Sequence, residues 1–379
     1  MNALRTNLSR RTFAQLLGAG AALAAAPPLA KPLLAADAKS TPAAAKAATE
    51  AMIRLSANEN PYGPSPAAFK AMTEAFGLSY RYPDEATDQM IADLARFHAL
   101  PSNQFLLGDG SAEILKLAAS AFAGSGKKLV MADPTFEAIG MYASVANPTI
   151  VKVPLDARYA HDLEKMAAIS DASLVYICNP NNPTASITPK AALRAYLDQV
   201  SPKTIVLVDE AYHHYVETPD YESVIPLVAS HSNLIVARTF SKIYAMAGLR
   251  LGYAVAQPAL LDKMVMHSTF DSINVMAIAA GRASLLDTKH VEEGRKRNRE
   301  TRAHVVAELE KMGHATIPSH ANFIMTDIGR DVRPFGIAMK QRGVEVGRLF
   351  PALPHHLRLT IGTPEQMARF MSAMREVMG

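Results

Sequence analysis

A single cysteine, Cys178, in 379 residues excludes an intrachain disulfide. It lies in the apolar run Leu174-Val175-Tyr176-Ile177-Cys178, where a packed core thiol is expected rather than a nucleophile. Net charge is equally scarce: +4 is small for this length and gives no electrostatic case for a nucleic-acid partner. The apolar stretch from Ala14 to Ala26 is too short for a good membrane span, so stable insertion is not expected. His213-His214 and His355-His356 lack the carboxylate or cysteine spacing that would build a metal site. Arg295-Lys296-Arg297-Asn298-Arg299, interleaved with glutamates, reads as a solvated helix face, and no internal repeat is evident. Hydrophobic residues at 49% and charged residues at 20% describe a soluble globular chain. A chain of 40.8 kDa has room for one large layered domain and a smaller one.

The first residues read as a targeting segment. Ser9-Arg10-Arg11-Thr12-Phe13 precedes the weakly hydrophobic, alanine- and glycine-rich Ala14 to Ala26, with Lys31 behind it. This pattern resembles a twin-arginine export signal over residues 1–38, with Ala36-Asp37-Ala38 or Ala24-Ala25-Ala26 as the small-x-small cleavage site. It implies passage through the twin-arginine translocase and a periplasmic or exported location, after folding in the cytoplasm. A chain without disulfides agrees with folding there. Residues 39–52, rich in alanine and lysine, read as a flexible tail.

From Ile53 onward, apolar runs of strand length alternate with amphipathic helical stretches. The runs are Lys128 to Ala132, Thr149 to Val153, Leu174 to Cys178, Thr204 to Val208, Leu234 to Ala237 and Leu251 to Ala256. That alternation predicts an α/β fold, with a mostly parallel sheet between two helical layers. The texture changes near Val275. A charged helical stretch from Ala277 to Met312, broken near Asp287, precedes short strands at Asn322–Met325, Val344–Val346 and Leu357–Ile361 and a closing helix from Pro364. The expected division is an N-terminal segment over 53–80 that joins the small domain, a large domain over 81–274, and a small α+β domain over 275–379.

In open α/β sheets the chemistry gathers at the carboxyl ends of strands, and the reactive residues of this chain fall there. Ile205-Val206-Leu207-Val208 delivers Asp209 and Tyr212. Asn233 to Ala237 leads into Thr239-Phe240-Ser241-Lys242, and Arg250 follows eight positions after the lysine. A lysine amine, a carboxylate, a phenol and an arginine on loops of one sheet meet the needs of pyridoxal 5′-phosphate (PLP). The amine bonds the cofactor's aldehyde, and the carboxylate keeps its ring nitrogen protonated. The arginine and the hydroxyl of Ser241 hold its phosphate.

The run around Lys242 resembles the cofactor-lysine motif of the class I/II aminotransferases of fold type I, near histidinol-phosphate aminotransferase. The likeness covers nearly everything after residue 53, with motifs in family order. It implies a large PLP-binding domain with a mostly parallel sheet between helices, plus a smaller α+β domain. Asn58-Glu59-Asn60-Pro61-Tyr62-Gly63-Pro64 is similar to the family's substrate-side segment, which makes Asn60 and Tyr62 substrate contacts. In Arg81-Tyr82-Pro83-Asp84 the resemblance sends Tyr82 to the cofactor phosphate of a partner subunit, and so implies a homodimer. Gly108-Asp109-Gly110-Ser111-Ala112-Glu113 opens a helix whose N-terminus suits a phosphate, with Ser111, Ala112 and Glu113 assigned to the cofactor. Phe136 is the ring placed over the pyridine. Asn182, in Asn179-Pro180-Asn181-Asn182-Pro183-Thr184, and Tyr212 face the phenolate oxygen, Asn182 also being placed beside the substrate. Arg358 binds the substrate's anionic group.

Two features depart from the family pattern. Ala185 stands where glycine is usual. Histidinol-phosphate aminotransferases typically read Val-Arg after the Gly-Val strand, whereas this chain reads Val346-Gly347-Arg348, followed by the apolar Leu349-Phe350-Pro351-Ala352-Leu353-Pro354. The departure favours an aromatic or aliphatic amino acid over a phosphorylated donor. The expected activity is PLP-dependent transfer of an amino group between an L-amino acid, or an amine like histidinol phosphate, and a 2-oxo acid by a ping-pong mechanism. Lys242, Asp209 and Tyr212 are the catalytic residues. Two alternatives stay open at this point: decarboxylation or cyclisation on the same fold, of the threonine-phosphate-decarboxylase kind, and an exported binding protein without turnover.

Overall fold

The computed structural model describes residues 52–379. The leader expected over 1–38, and all but the last residue of the tail expected over 39–52, lie outside the described residues.

The strands in chain order are β1 (Ile53–Leu55), β2 (Phe105–Gly108), β3 (Lys128–Asp133), β4 (Thr149–Pro154), β5 (Ala172–Cys178) and β6 (Ile205–Asp209). They are followed by β7 (Leu234–Thr239), β8 (Gly252–Ala256), β9 (Thr316–Ile317), β10 (Phe323–Asp327), β11 (Val344–Val346) and β12 (His356–Thr360). Seven of them form one sheet in the order β2-β8-β7-β6-β5-β3-β4. β3 to β7 pair in parallel, while β8 runs antiparallel between β7 and β2.

Period-two alternation explains why β5 to β7 read as unbroken apolar runs. Leu174, Tyr176, Cys178, Leu207 and Ile235 face one core, and Val175, Ile177, Val206, Val208 and Val236 face the other. Helix Ser111–Phe122 lays Ile114, Leu115, Ala118 and Phe122 on the first core. A sheet covered on both faces leaves only its strand ends open to ligands.

The six sequence-predicted runs of this sheet are all strands, within one or two residues at each end. The four-residue β2 is an addition, too short to stand out as a run. The break at Asp287 is a helix cap: its side chain accepts from the His290 backbone N–H and starts Thr288–Lys311 after Val275–Leu286 has ended. Helix Val275–Leu286 packs on Pro66–Ala75 and Asp84–His98. Its Ala277, Ile278, Ala280 and Leu285 share the core that also takes in Met90 and Leu94. That helix therefore covers the large sheet, although the sequence division opens the small domain at residue 275.

The small unit combines the antiparallel sheet β9-β10-β12 with the parallel pair β1-β11. Its core joins Leu55, Ile324, Leu357, Leu359 and Phe335 to Phe370 of the closing helix Pro364–Met378. A capping box at Thr363 and Gln366 fixes the start of that helix. β1 thus ties residues 53–55 to the small unit. The chain then crosses to the large sheet through residues 56–60, of which Ala57 and Asn58 line the site.

Candidate active site

A cavity of about 280 Å³ opens at the carboxyl ends of β5, β6 and β7. Ser111, Ala112, Phe136, Asn182, Asp209, Tyr212, Ser241, Lys242, Arg250 and Arg358 all line it. These candidates are spread over some 250 positions of sequence, and the sheet order brings them together.

Lys242 follows β7 and points its amine at the Asn58 carbonyl, 3.1 Å away, with the Tyr212 ring centroid at 5.5 Å. Removal from water, and then the positive charge of Arg358, lower its pKa to about 8. Asp209 ends β6 and is 2% exposed. Its Oδ2 accepts from the Tyr176 hydroxyl at 2.9 Å and its Oδ1 from the Ala211 backbone N–H at 3.1 Å. Burial raises its pKa to about 6, against the opposing effect of those two donors. No arginine or lysine makes a salt bridge to it among the described residues. A buried carboxylate short of a cation fits a protonated ring nitrogen.

The helix end beside it fits an anion. Ser111–Phe122 begins at Gly110 with no side-chain cap, so its first N–H groups and the positive end of its dipole face the cavity. Gly110 sits at φ +75, and a Cβ there would come within 2.2 Å of the Arg250 guanidinium. A Cβ on Gly252 would lie 2.4 Å from the Ser111 backbone nitrogen. Arg250 donates to the carbonyls of Ala247 and Asp109, both at 3.1 Å, and Ser241 stands 3.5 Å from it. No carboxylate neutralises this arginine among the described residues. A cationic cradle, a carboxylate for a ring nitrogen, the Phe136 ring and an amine with lowered pKa form the donor set that PLP requires, so the residues present fit that cofactor.

On the substrate side, Arg358 of β12 reaches across from the small unit. It donates to the Asn182 Oδ1 at 2.8 Å and to the Ser56 carbonyl, and its guanidinium carbon lies 5.2 Å from the Phe350 ring and 5.8 Å from that of Phe323. Its Nε is buried without a hydrogen-bond partner. Two aromatic rings and two oxygens orient the guanidinium, yet no carboxylate pairs with it among the described residues, which leaves it ready for an incoming anion. Because the Asn182 oxygen is taken by Arg358, its amide N–H₂ is left to donate elsewhere.

Four residues expected at the site lie apart from this cavity, Tyr82 being the one expected to act in a partner subunit. Asn60 donates to the Ile243 carbonyl at 2.9 Å, and with Tyr62 it lines a separate crevice beside Asn298 and Asn322. Tyr62 stacks under Arg297. Glu113 turns back to accept from the Asp109 backbone N–H at 2.6 Å. Tyr82 is 79% exposed and does not reach the cavity of its own chain.

Asn58, two positions before Asn60, lines the cavity instead. It is buried at φ 55, a left-handed conformation that asparagine tolerates. Its amide donates to the Tyr212 hydroxyl at 3.1 Å, and its backbone N–H to the Thr360 hydroxyl at 2.9 Å. The signal was available, since Asn58 opens the quoted motif, but a left-handed turn cannot be read from residue type alone. Ala185 also takes a positive φ, 60, which explains the usual glycine; its N–H still closes the loop on the Asn181 carbonyl at 2.8 Å.

Comparison with known proteins agrees with this geometry. The family model "Aminotransferase class I and II" matches residues 50–374. The chain is 41% identical over 331 residues to histidinol-phosphate aminotransferase of Symbiobacterium thermophilum, covering 86% of this chain and 91% of that one. It is 39% identical over 332 residues to the enzyme of the same name from Moorella thermoacetica, with 86% of each covered. A crystal structure of histidinol-phosphate aminotransferase from Sinorhizobium meliloti in complex with pyridoxal-5′-phosphate superimposes with a TM-score of 0.81. There the identity is 25%, over 86% of this chain and 91% of that one.

Proposed function

The chain belongs to the class I and II aminotransferase family, and from that premise we propose that its amino donor is an aromatic or aliphatic L-amino acid held by its carboxylate on Arg358. The enzyme is a PLP-dependent aminotransferase with relatives named histidinol-phosphate aminotransferase. When bound, PLP supplies an aldehyde for the donor amine and a conjugated electron sink.

The protein's own residues divide the remaining work. Arg250, Ser241 and the N-terminus of helix Ser111–Phe122 would hold the phosphate, and Asp209 would face the ring nitrogen. Burial keeps the Tyr212 phenol and the Cys178 thiol protonated. Lys242 is then the cavity group able to take a proton from the donor's Cα and return it near neutral pH. One arginine serves the acids of both half-reactions, so the first 2-oxo acid leaves before the second enters.

The observation that carries the donor assignment is Arg358, without a carboxylate partner among the described residues, beside an Arg348 that is tied to Glu137. Gly347 donates its N–H to the Arg358 carbonyl at 3.0 Å, and a Cβ at Gly347 would stand 2.4 Å from that oxygen. No side chain fits there. Arg348, one position on, pairs with Glu137 and lies over the Phe350 ring. A dianionic phosphate needs more than one free cation, whereas an α-carboxylate matches a single guanidinium. Steady-state kinetics with aromatic and aliphatic L-amino acids and with histidinol phosphate test this assignment. The expected result is a kcat/KM for the best amino acid that exceeds the value for histidinol phosphate, and falls about 10- to 100-fold in Arg358→Gln. Equal or better turnover of histidinol phosphate overturns it.

The reading extends to assembly and location. A homodimer in which Tyr82 completes the phosphate site of the partner subunit is supported by the exposure of Tyr82 and by the apolar Phe69 and Leu286 left bare on two helices packed together. Export through the twin-arginine route is supported by Arg10-Arg11 and the apolar stretch behind them. A reporter fused to residues 1–50 should reach the periplasm, and fail to do so when both arginines become lysine.

A further inference from the structure

Behind Asp209 lies a phenol that the chemistry described so far does not use. Tyr176 is fully buried in the core under the sheet, where a phenylalanine would fill the same space. On β5 it stands opposite Leu207 of β6, and Asp209 is the diagonal neighbour two positions along, within reach of a long side chain. Its hydroxyl donates to the Asp209 Oδ2 at 2.9 Å.

The other groups facing this carboxylate cannot hold its charge alone. Glu210, its chain neighbour, is neutralised by Arg238 at 2.7 Å, and its own charge works against Asp209. The Cys178 thiol and the phenols of Tyr212 and Tyr221 stay protonated through burial. Lys242 acts through its charge alone, without a hydrogen bond to Asp209. Inside the protein, two donors remain: the Tyr176 hydroxyl and the Ala211 backbone N–H.

We propose that Tyr176 is a positioning residue that fixes Asp209 as an ionised carboxylate, so that the proton shared with the cofactor's ring nitrogen stays on that nitrogen. The inference rests on the PLP reading of the site. A hydrogen bond from a neutral donor stabilises the anionic carboxylate over the carboxylic acid. Without it, the more basic Asp209 draws the proton off the ring nitrogen and weakens the electron sink, while Asp209 itself remains in place. Tyr176 does not line the cavity and acts through Asp209.

The test uses full-length protein freed of cofactor, with deoxypyridoxine 5′-phosphate as probe. This analogue lacks the aldehyde and cannot bond Lys242. Affinity is measured by calorimetry between pH 5 and 8.5 for the wild type and Tyr176→Phe. Asp209 must be ionised to pair with a protonated ring nitrogen, so wild-type affinity is retained above pH about 6 and lost below it. In Tyr176→Phe the break moves up by about one pH unit. Binding at pH 6 then weakens up to about tenfold, while binding at pH 8 stays within about twofold. The probe's own phosphate titrates identically in both proteins and cancels. In addition, ¹⁵N resonances of ring-labelled PLP should move toward the unprotonated position in the variant. A loss of affinity equal at every pH, or an unchanged break and an unchanged ring-nitrogen shift, overturns the proposal. Failure of the wild type to bind the analogue at any pH overturns the PLP reading with it.

Discussion

A lysine left in water is almost wholly protonated at neutral pH and cannot attack an aldehyde. Lys242 escapes this by burial first and then by the field of Arg358, against the opposing charges of Glu59 and Asp209, which together bring its pKa to about 8. Because the pKa is lowered, the neutral amine is present above pH about 8 and lost below it. At pH 8 its neutral fraction is on the order of a hundredfold larger than that of an exposed lysine. Capture of PLP by the cofactor-free protein, followed by absorbance, should therefore accelerate up to pH about 8 and then level off. Arg358→Ala removes a neighbouring positive charge and should shift that break upward. A rate still climbing toward pH 10 in the wild type would mean that Lys242 is solvated.

The elements decide how closely such residues can be brought together. Gly252, at the start of β8, admits the backbone of Gly110 and Ser111 so closely that a Cβ would lie within 2.6 Å of both. Gly252→Ala should cost about 1–3 kcal/mol in thermal unfolding and weaken PLP binding, because the helix end that would meet the phosphate must move. Gly248→Ala, with nothing within 4 Å of its Cβ, is the control and should do neither. The strands carrying Asp209 and Lys242 are legible in the sequence because burial on both faces gives each an apolar run that stops at a polar residue. The cap at Asp287 is legible for a related reason, since a short acidic side chain interrupts a helical pattern. Membership of helix Val275–Leu286 is not legible. It is apolar on nearly every face, so its pattern fits either domain, and only its packing against Phe240 and Leu251, in one core with the large sheet, assigns it there. The role of Asn58 is hidden for another reason. It depends on a left-handed turn and on Thr360, 302 positions away.

At the scale of the whole molecule, the site is built where the large sheet meets the small unit. The large sheet and the helix beside it supply the lysine, the carboxylate and the cationic cradle; the small unit supplies Arg358 from β12 and, through β1 of its separate parallel pair, the segment that carries Asn58. Tyr82, exposed on its own chain, has a place in this scheme only in a dimer. Sedimentation should accordingly give about twice the mass of one chain, and Tyr82→Phe should weaken PLP binding without changing that mass. A monomer retaining full activity would refute the shared site. The central claim, that these residues transfer an amino group through PLP, is met most directly by the absorbance of the purified protein. Spectra are taken before and after adding single L-amino acids, with Lys242→Ala alongside. The account predicts a visible band from lysine-bound cofactor that converts to the cofactor's amine form with an effective donor and returns when a 2-oxo acid is added. Lys242→Ala should lack both the band and the recovery. A band that never converts with any amine, or a protein that takes up no PLP at all, would contradict the account.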